Sequence, residues 1–154
     1  MNRVVLSTMF AAAMVWAVPT VGAGAVASAA AELPPALVDP LVRVQAALAA
    51  DKVDGVKADA VAISAAAATL GDAAQPIVVA AKKLEDAANL GDARKAFGEV
   101  NGALFAYAKA SGSSVPAGVK TAYCPMINKS WLQKSDKIQN PYYGSGMLEC
   151  GSFK

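Results

Sequence analysis

The chain has 154 residues, 55% of them hydrophobic, no histidine and a formal net charge of +2. That near-neutral balance gives no electrostatic reason to expect nucleic acid or an anionic membrane surface as a partner. The length suits one domain with a modest core, and the missing histidine removes a common general base and zinc ligand.

Residues 1–29 read as a secretory signal peptide. Asn2-Arg3 is a short basic start, Val4 to Val18 is an uncharged apolar run, and Ala27-Ser28-Ala29 has the small-x-small pattern that a signal peptidase reads. Cleavage is expected after Ala29, with Ala23 as the alternative position. The apolar run is short for a membrane span. The processed protein is therefore expected in the periplasm and not as an integral membrane protein.

Residues 30–119 have the composition and spacing of helices. A first helix is predicted over residues 36–50, with Asp39-Pro40 fitting its start. Asp51 is the expected N-cap of a second, in which Val53, Val56, Ala60, Ile63, Ala67 and Leu70 form an apolar stripe before Gly71-Asp72. A third is predicted from Gln75 to Asn89, with Ile77, Val78, Ala81, Leu84 and Ala88 inward. Asp92 would cap a fourth, which contains Phe97, Val100, Leu104 and Tyr107 and ends at Ser111-Gly112-Ser113-Ser114.

The stretch from Asp51 and the stretch from Asp92 can be superposed along the sequence, so that Val56 matches Phe97 and Ile63 matches Leu104. Two helical hairpins follow from this weak repeat. The predicted fold class is all-α: an antiparallel four-helix bundle carrying an irregular C-terminal segment.

That segment, residues 120–154, belongs to the same domain but differs in style. It holds most of the aromatics beyond the signal region, together with the turn signals Asn140-Pro141 and Gly144-Ser145-Gly146. Ser130-Trp131-Leu132-Gln133-Lys134 is expected to make at most a turn or two of helix. Both cysteines, Cys124 and Cys150, lie in this segment, each with a methionine close by, Met126 and Met147. Thiolate and thioether are soft ligands that favour Cu(I) and similar ions. Pro125 fixes one backbone angle between Cys124 and Met126, which limits the freedom lost on binding.

Taken together, Tyr123-Cys124-Pro125-Met126, Trp131-Leu132-Gln133-Lys134, Asn140-Pro141-Tyr142-Tyr143-Gly144 and Met147-Leu148-Glu149-Cys150-Gly151 resemble a bacterial exported family, domain of unknown function 3347. That family occurs as small periplasmic proteins and fused to adaptor subunits of heavy-metal efflux pumps. The resemblance is close over residues 121–151 and loose over the helices. It implies a helical bundle, export and a role in copper or silver handling.

The expected site is thus Cu(I) or Ag(I) held by Cys124, Met126, Met147 and Cys150, with Trp131 and Tyr123 in supporting positions. The ion would be buffered or passed to a heavy-metal efflux or copper-delivery protein. The competing expectation is a Cys124–Cys150 disulfide, usual in an oxidising compartment, in an exported module that holds a partner without metal. No enzyme is expected, since neither Ser130 nor the cysteines have a histidine to activate them and no phosphate-binding loop occurs.

Overall fold

The computed structural model describes residues 31–154; the expected signal peptide therefore lies outside the described residues. Helix α1 (Pro35–Ala49) opens with Pro35 at a position whose N–H has no helical acceptor, so proline costs nothing there. The expected start at Asp39-Pro40 is displaced, because Pro40 lies inside the helix. Its ring removes the bond to the Ala36 carbonyl, and Ala36 is exposed, so solvent can satisfy that oxygen. Leu37, Leu41, Val44 and Leu48 form the buried face.

Helix α2 (Val56–Ala68) begins after Gly55, which has a φ of 79°. Asp51 does not cap it: that residue sits five positions earlier, in the left-handed region with a φ of 58°. Val56, Ala60, Ile63 and Ala67 are buried as their spacing predicts, whereas Val53 is 48% exposed. A short 3₁₀ turn, Asp72–Ala74, leads into helix α3 (Gln75–Glu85), which ends before the expected Asn89 and leaves Ala88 exposed.

Asn89 is instead the N-cap of helix α4 (Leu90–Ser111). Its side-chain oxygen accepts the Asp92 N–H at 3.0 Å, and its amide donates to the Asp92 carboxylate at 2.7 Å. Asp92 completes the cap from inside the first turn. Gly112, with a φ of 68°, ends the helix. The helices pack in chain order, α1 on α2, α2 on α3 and α3 on α4, while α1 also meets α4.

The all-α expectation fails at the C-terminal segment. Strands β1 (Lys120–Cys124), β2 (Lys129–Gln133) and β3 (Ser152–Phe153) form an antiparallel sheet in the order β2-β1-β3. The stretch around Trp131, expected as helix at most, is the middle of β2 and pairs Trp131 with Ala122. A four-residue turn joins β1 to β2, and Asn128 closes it with a φ of 51°. β2 packs on both α1 and α4, so Trp131, Leu132, Ala122 and Cys124 join the same core as Phe97 and Leu41.

Candidate dithiol site

The sheet register brings the two cysteines together. Tyr123 pairs with Ser152, which sets Gly151 beside Cys124 and leaves Cys150 one residue further along. Gly151 has a φ of 146°, and a Cβ there would lie 2.8 Å from the Tyr123 carbonyl oxygen and 2.9 Å from the Trp131 ring. Glycine permits this approach. Cys124 is fully buried, Cys150 is partly exposed, and their sulfurs are 3.2 Å apart. A covalent S–S bond is about 2.05 Å long, so the two are free thiols in contact.

Asn140 organises the return of the chain. It is fully buried; its N–H donates to the Leu148 carbonyl at 2.7 Å and its side-chain amide to the Cys150 carbonyl at 2.7 Å. Its side-chain oxygen accepts the Tyr142 N–H at 2.8 Å. One side chain thus ties the Asn140-Pro141 turn to the Cys150 backbone. Tyr142 in turn donates its hydroxyl to the Ser130 carbonyl at 2.9 Å and meets Trp131 edge-on, with ring centroids 5.8 Å apart.

The thiols are electrostatically unequal. Burial of Cys124 favours the neutral form, but hydrogen bonds from Cys150, from the Ile127 and Met126 backbone and from Asn140 outweigh it, so the Cys124 thiol is held below its ordinary value. Cys150 is raised, first because its proton is shared with Cys124, then by burial and by the Cys124 charge. Burial also pushes the Tyr142 phenol well above its ordinary value, and the nearby Cys124 charge adds to this. The pair therefore ionises first at Cys124, with Cys150 as the donor.

The other expected site residues fall differently. Met126, in the turn after β1, is 66% exposed, and Met147 is 37% exposed. Both thioethers are solvent-accessible and lie on the two segments that carry the thiols. Trp131 is fully buried, and its indole N–H donates to the Gln133 side chain at 2.8 Å. It is an anchor under Gly151, and its burial in the protein core leaves no open ring face for a cation. Tyr123 donates its hydroxyl to the Asn128 side chain at 2.8 Å, while its carbonyl borders Gly151. Among the described residues, no group of three or more His, Cys, Asp or Glu side chains is placed to hold a metal.

Three contributors escape sequence reasoning. Asn140 reads as a turn former, and its grip on Cys150 needs the fold to be seen. Gln133, fully buried, donates to the Ser135 and Lys137 carbonyls at 3.0 and 2.7 Å and holds the loop after β2. Asp51 binds the Arg94 guanidinium and accepts the Ser145 N–H at 3.1 Å, while Arg94 also donates to the Leu48 and Pro141 carbonyls. This clasp joins the end of α1, the start of α4 and the loop leading to Met147. A Cβ at Gly144 would overlap both the Asp51 carboxylate and the Arg94 guanidinium.

No family model, curated protein or solved structure matches the chain.

Proposed function

We infer that the protein binds a soft monovalent metal ion, Cu(I) or Ag(I), through Cys124 and Cys150 after export to the periplasm. The observation that carries this reading is the pair of free thiols 3.2 Å apart, with Cys124 lowered and Cys150 raised. One sulfur is ready to lose its proton at the least cost, and a bound cation would displace the second. A soft ion that accepts two sulfur ligands suits this donor set, whereas zinc and calcium call for more ligands or harder ones. Met126 and Met147, exposed on the same two segments, would add neutral thioether ligands. The ordered motifs over residues 121–151 support the same reading through their family resemblance, and the ion would be passed on to a heavy-metal efflux or copper-delivery protein.

Anaerobic titration of the reduced protein with Cu(I) against a competing chelator tests this. One tight site is expected, lost in a Cys124→Ser, Cys150→Ser double variant. Met126→Leu with Met147→Leu should weaken binding without abolishing it. Unchanged affinity in the methionine double variant would remove the thioethers from the site, and absence of any tight site would remove the function.

A second reading rests on the same short separation. Oxidation would join the β1 end to the segment before β3, making the pair a structural staple in an interaction module without metal. Under that reading the purified protein shows no free thiols until reduced, and the reduced protein binds Cu(I) only adventitiously.

A further inference from the structure

A second candidate site lies away from the thiols. A groove of about 760 Å³ opens between α4 from Gly98 onward and the β1–β2 hairpin, and none of Cys124, Met126, Met147 and Cys150 lines it. Its cationic side chains are Lys109, Lys129 and Lys154, and among the described residues no Asp or Glu side chain lines it. Among the described residues none of the three forms an ion pair; the five ion pairs there use other basic side chains. Glu99, whose field reaches Lys129, is bonded to Lys83 at 2.7 Å. Lys154 holds its ammonium 4.4 Å above the Tyr123 ring and donates to the Ser130 hydroxyl at 3.3 Å. These positions keep three ammonium groups at the groove without a direct carboxylate side-chain partner.

The α4 wall is cut away by glycine. Gly98 makes room for Lys129, whose side-chain carbons would lie 2.9 Å from a Cβ there. Gly102 has no such explanation, because a Cβ at that position meets nothing within 4 Å. Glycine weakens a helix interior relative to alanine. Among the described residues its presence serves no packing need, and it lines the groove. Phe105, Ala108 and Val115 supply an apolar end, and Ser113, Thr121 and Ser130 supply hydroxyl groups. The volume falls in the range of small-molecule sites, which combine apolar walls with a few placed polar groups.

We propose that this groove binds a small organic anion, a carboxylate or phosphate group attached to an apolar body, with Lys109, Lys129 and Lys154 facing the anion and Phe105 and Val115 facing the body. The lysine ammonium groups act as point charges and accept either headgroup. The site is independent of the metal reading, since it shares no residue with the dithiol.

Amide NMR of the purified protein, titrated separately with phenyl phosphate, benzoate and inorganic phosphate, tests the proposal. Saturable shifts are expected at Gly98, Gly102 and Ser130, with the aromatic anions binding more tightly than inorganic phosphate. Lys109→Gln and Lys154→Gln should each weaken binding several-fold and reduce its salt dependence. Gly102→Leu, which projects a side chain into open space, should leave the fold intact and lower affinity at least tenfold. No saturable shift with either aromatic anion at concentrations up to about 10 mM would overturn the proposal. Unchanged binding in Gly102→Leu would overturn it too, as would an oligoglutamate peptide binding where the small anions do not.

Discussion

Gly151 passes so close to Trp131 that a Cβ on the glycine would lie 2.9 Å from the indole ring. This contact lets the chain enter β3 beside β1, and so fixes where Cys150 stands. A buried aromatic sets the floor, and a residue without a side chain is the one that can cross it.

Gly151→Ala should therefore act twice. The φ of 146° suits glycine alone, and the added methyl group meets both the Tyr123 carbonyl and the indole. A loss of about 1–3 kcal/mol is expected in denaturant unfolding of the reduced protein. Slower disulfide formation with an added oxidant should accompany it, because the cysteine segment must shift away from Cys124.

Asn140→Ala leaves the partly buried Cys150 carbonyl and the buried Tyr142 N–H without their partner. A cost of about 1–3 kcal/mol is expected for each buried group left unsatisfied. It also removes one of the hydrogen bonds that lower the Cys124 thiol. Ultraviolet titration of the thiolate should show that first ionisation move upward in the variant. A drop in stability with no upward shift would assign Asn140 to the backbone alone.

The Asp51 clasp predicts a pH dependence. Hydrogen bonds from Ser145 and from Arg94 lower its carboxyl from 3.8 to about 2. A carboxyl lowered on folding contributes stability that is full above its unfolded value and fades as pH falls through its folded one. Asp51→Asn should accordingly melt at a lower temperature than the parent near neutral pH. The gap should narrow between about pH 4 and pH 2 and close below that window. Circular dichroism melts across this range are sufficient, and a gap independent of pH would show that the carboxylate charge is irrelevant.

Joining Cys124 to Cys150 should stabilise the fold by about 3.5 kcal/mol from loop-closure entropy. Comparing unfolding of the oxidised and reduced protein measures this, with Cys124→Ser as the variant that responds to neither state. A much smaller gain would mean that the reduced, unfolded chain already keeps these segments close.

Much of the helical region is legible from residue spacing. Ile63 and Ala67 on α2, or Phe97, Val100 and Leu104 on α4, are buried because a 3.6-residue period places them on one face. The helix starts are less legible. Asp51 and Asp92 both look like caps, but a cap is defined by one side chain reaching one N–H. Asn89 wins at α4, while Asp51 is drawn to Arg94 and Ser145. The strands escape notice because β1 and β2 are five residues long, too short for alternation to stand out. Their turn also lacks the Asn-Gly or Asp-Gly pair that marks the tightest hairpins.

The sequence by itself determined the helical periodicity, the choice of residues for the helical core and the confinement of both cysteines, and of every methionine beyond residue 14, to one segment. Those properties are local, readable from neighbours a few positions apart. Only the tertiary structure decided that Cys124 meets Cys150 across 26 positions, that Asn140 and Gly151 make the meeting possible, and that Trp131 is a floor. Pairing register and close approach depend on which distant surfaces share one core. No local pattern of side chains carries that information, because it arises only when helices and sheet compete for the same buried space.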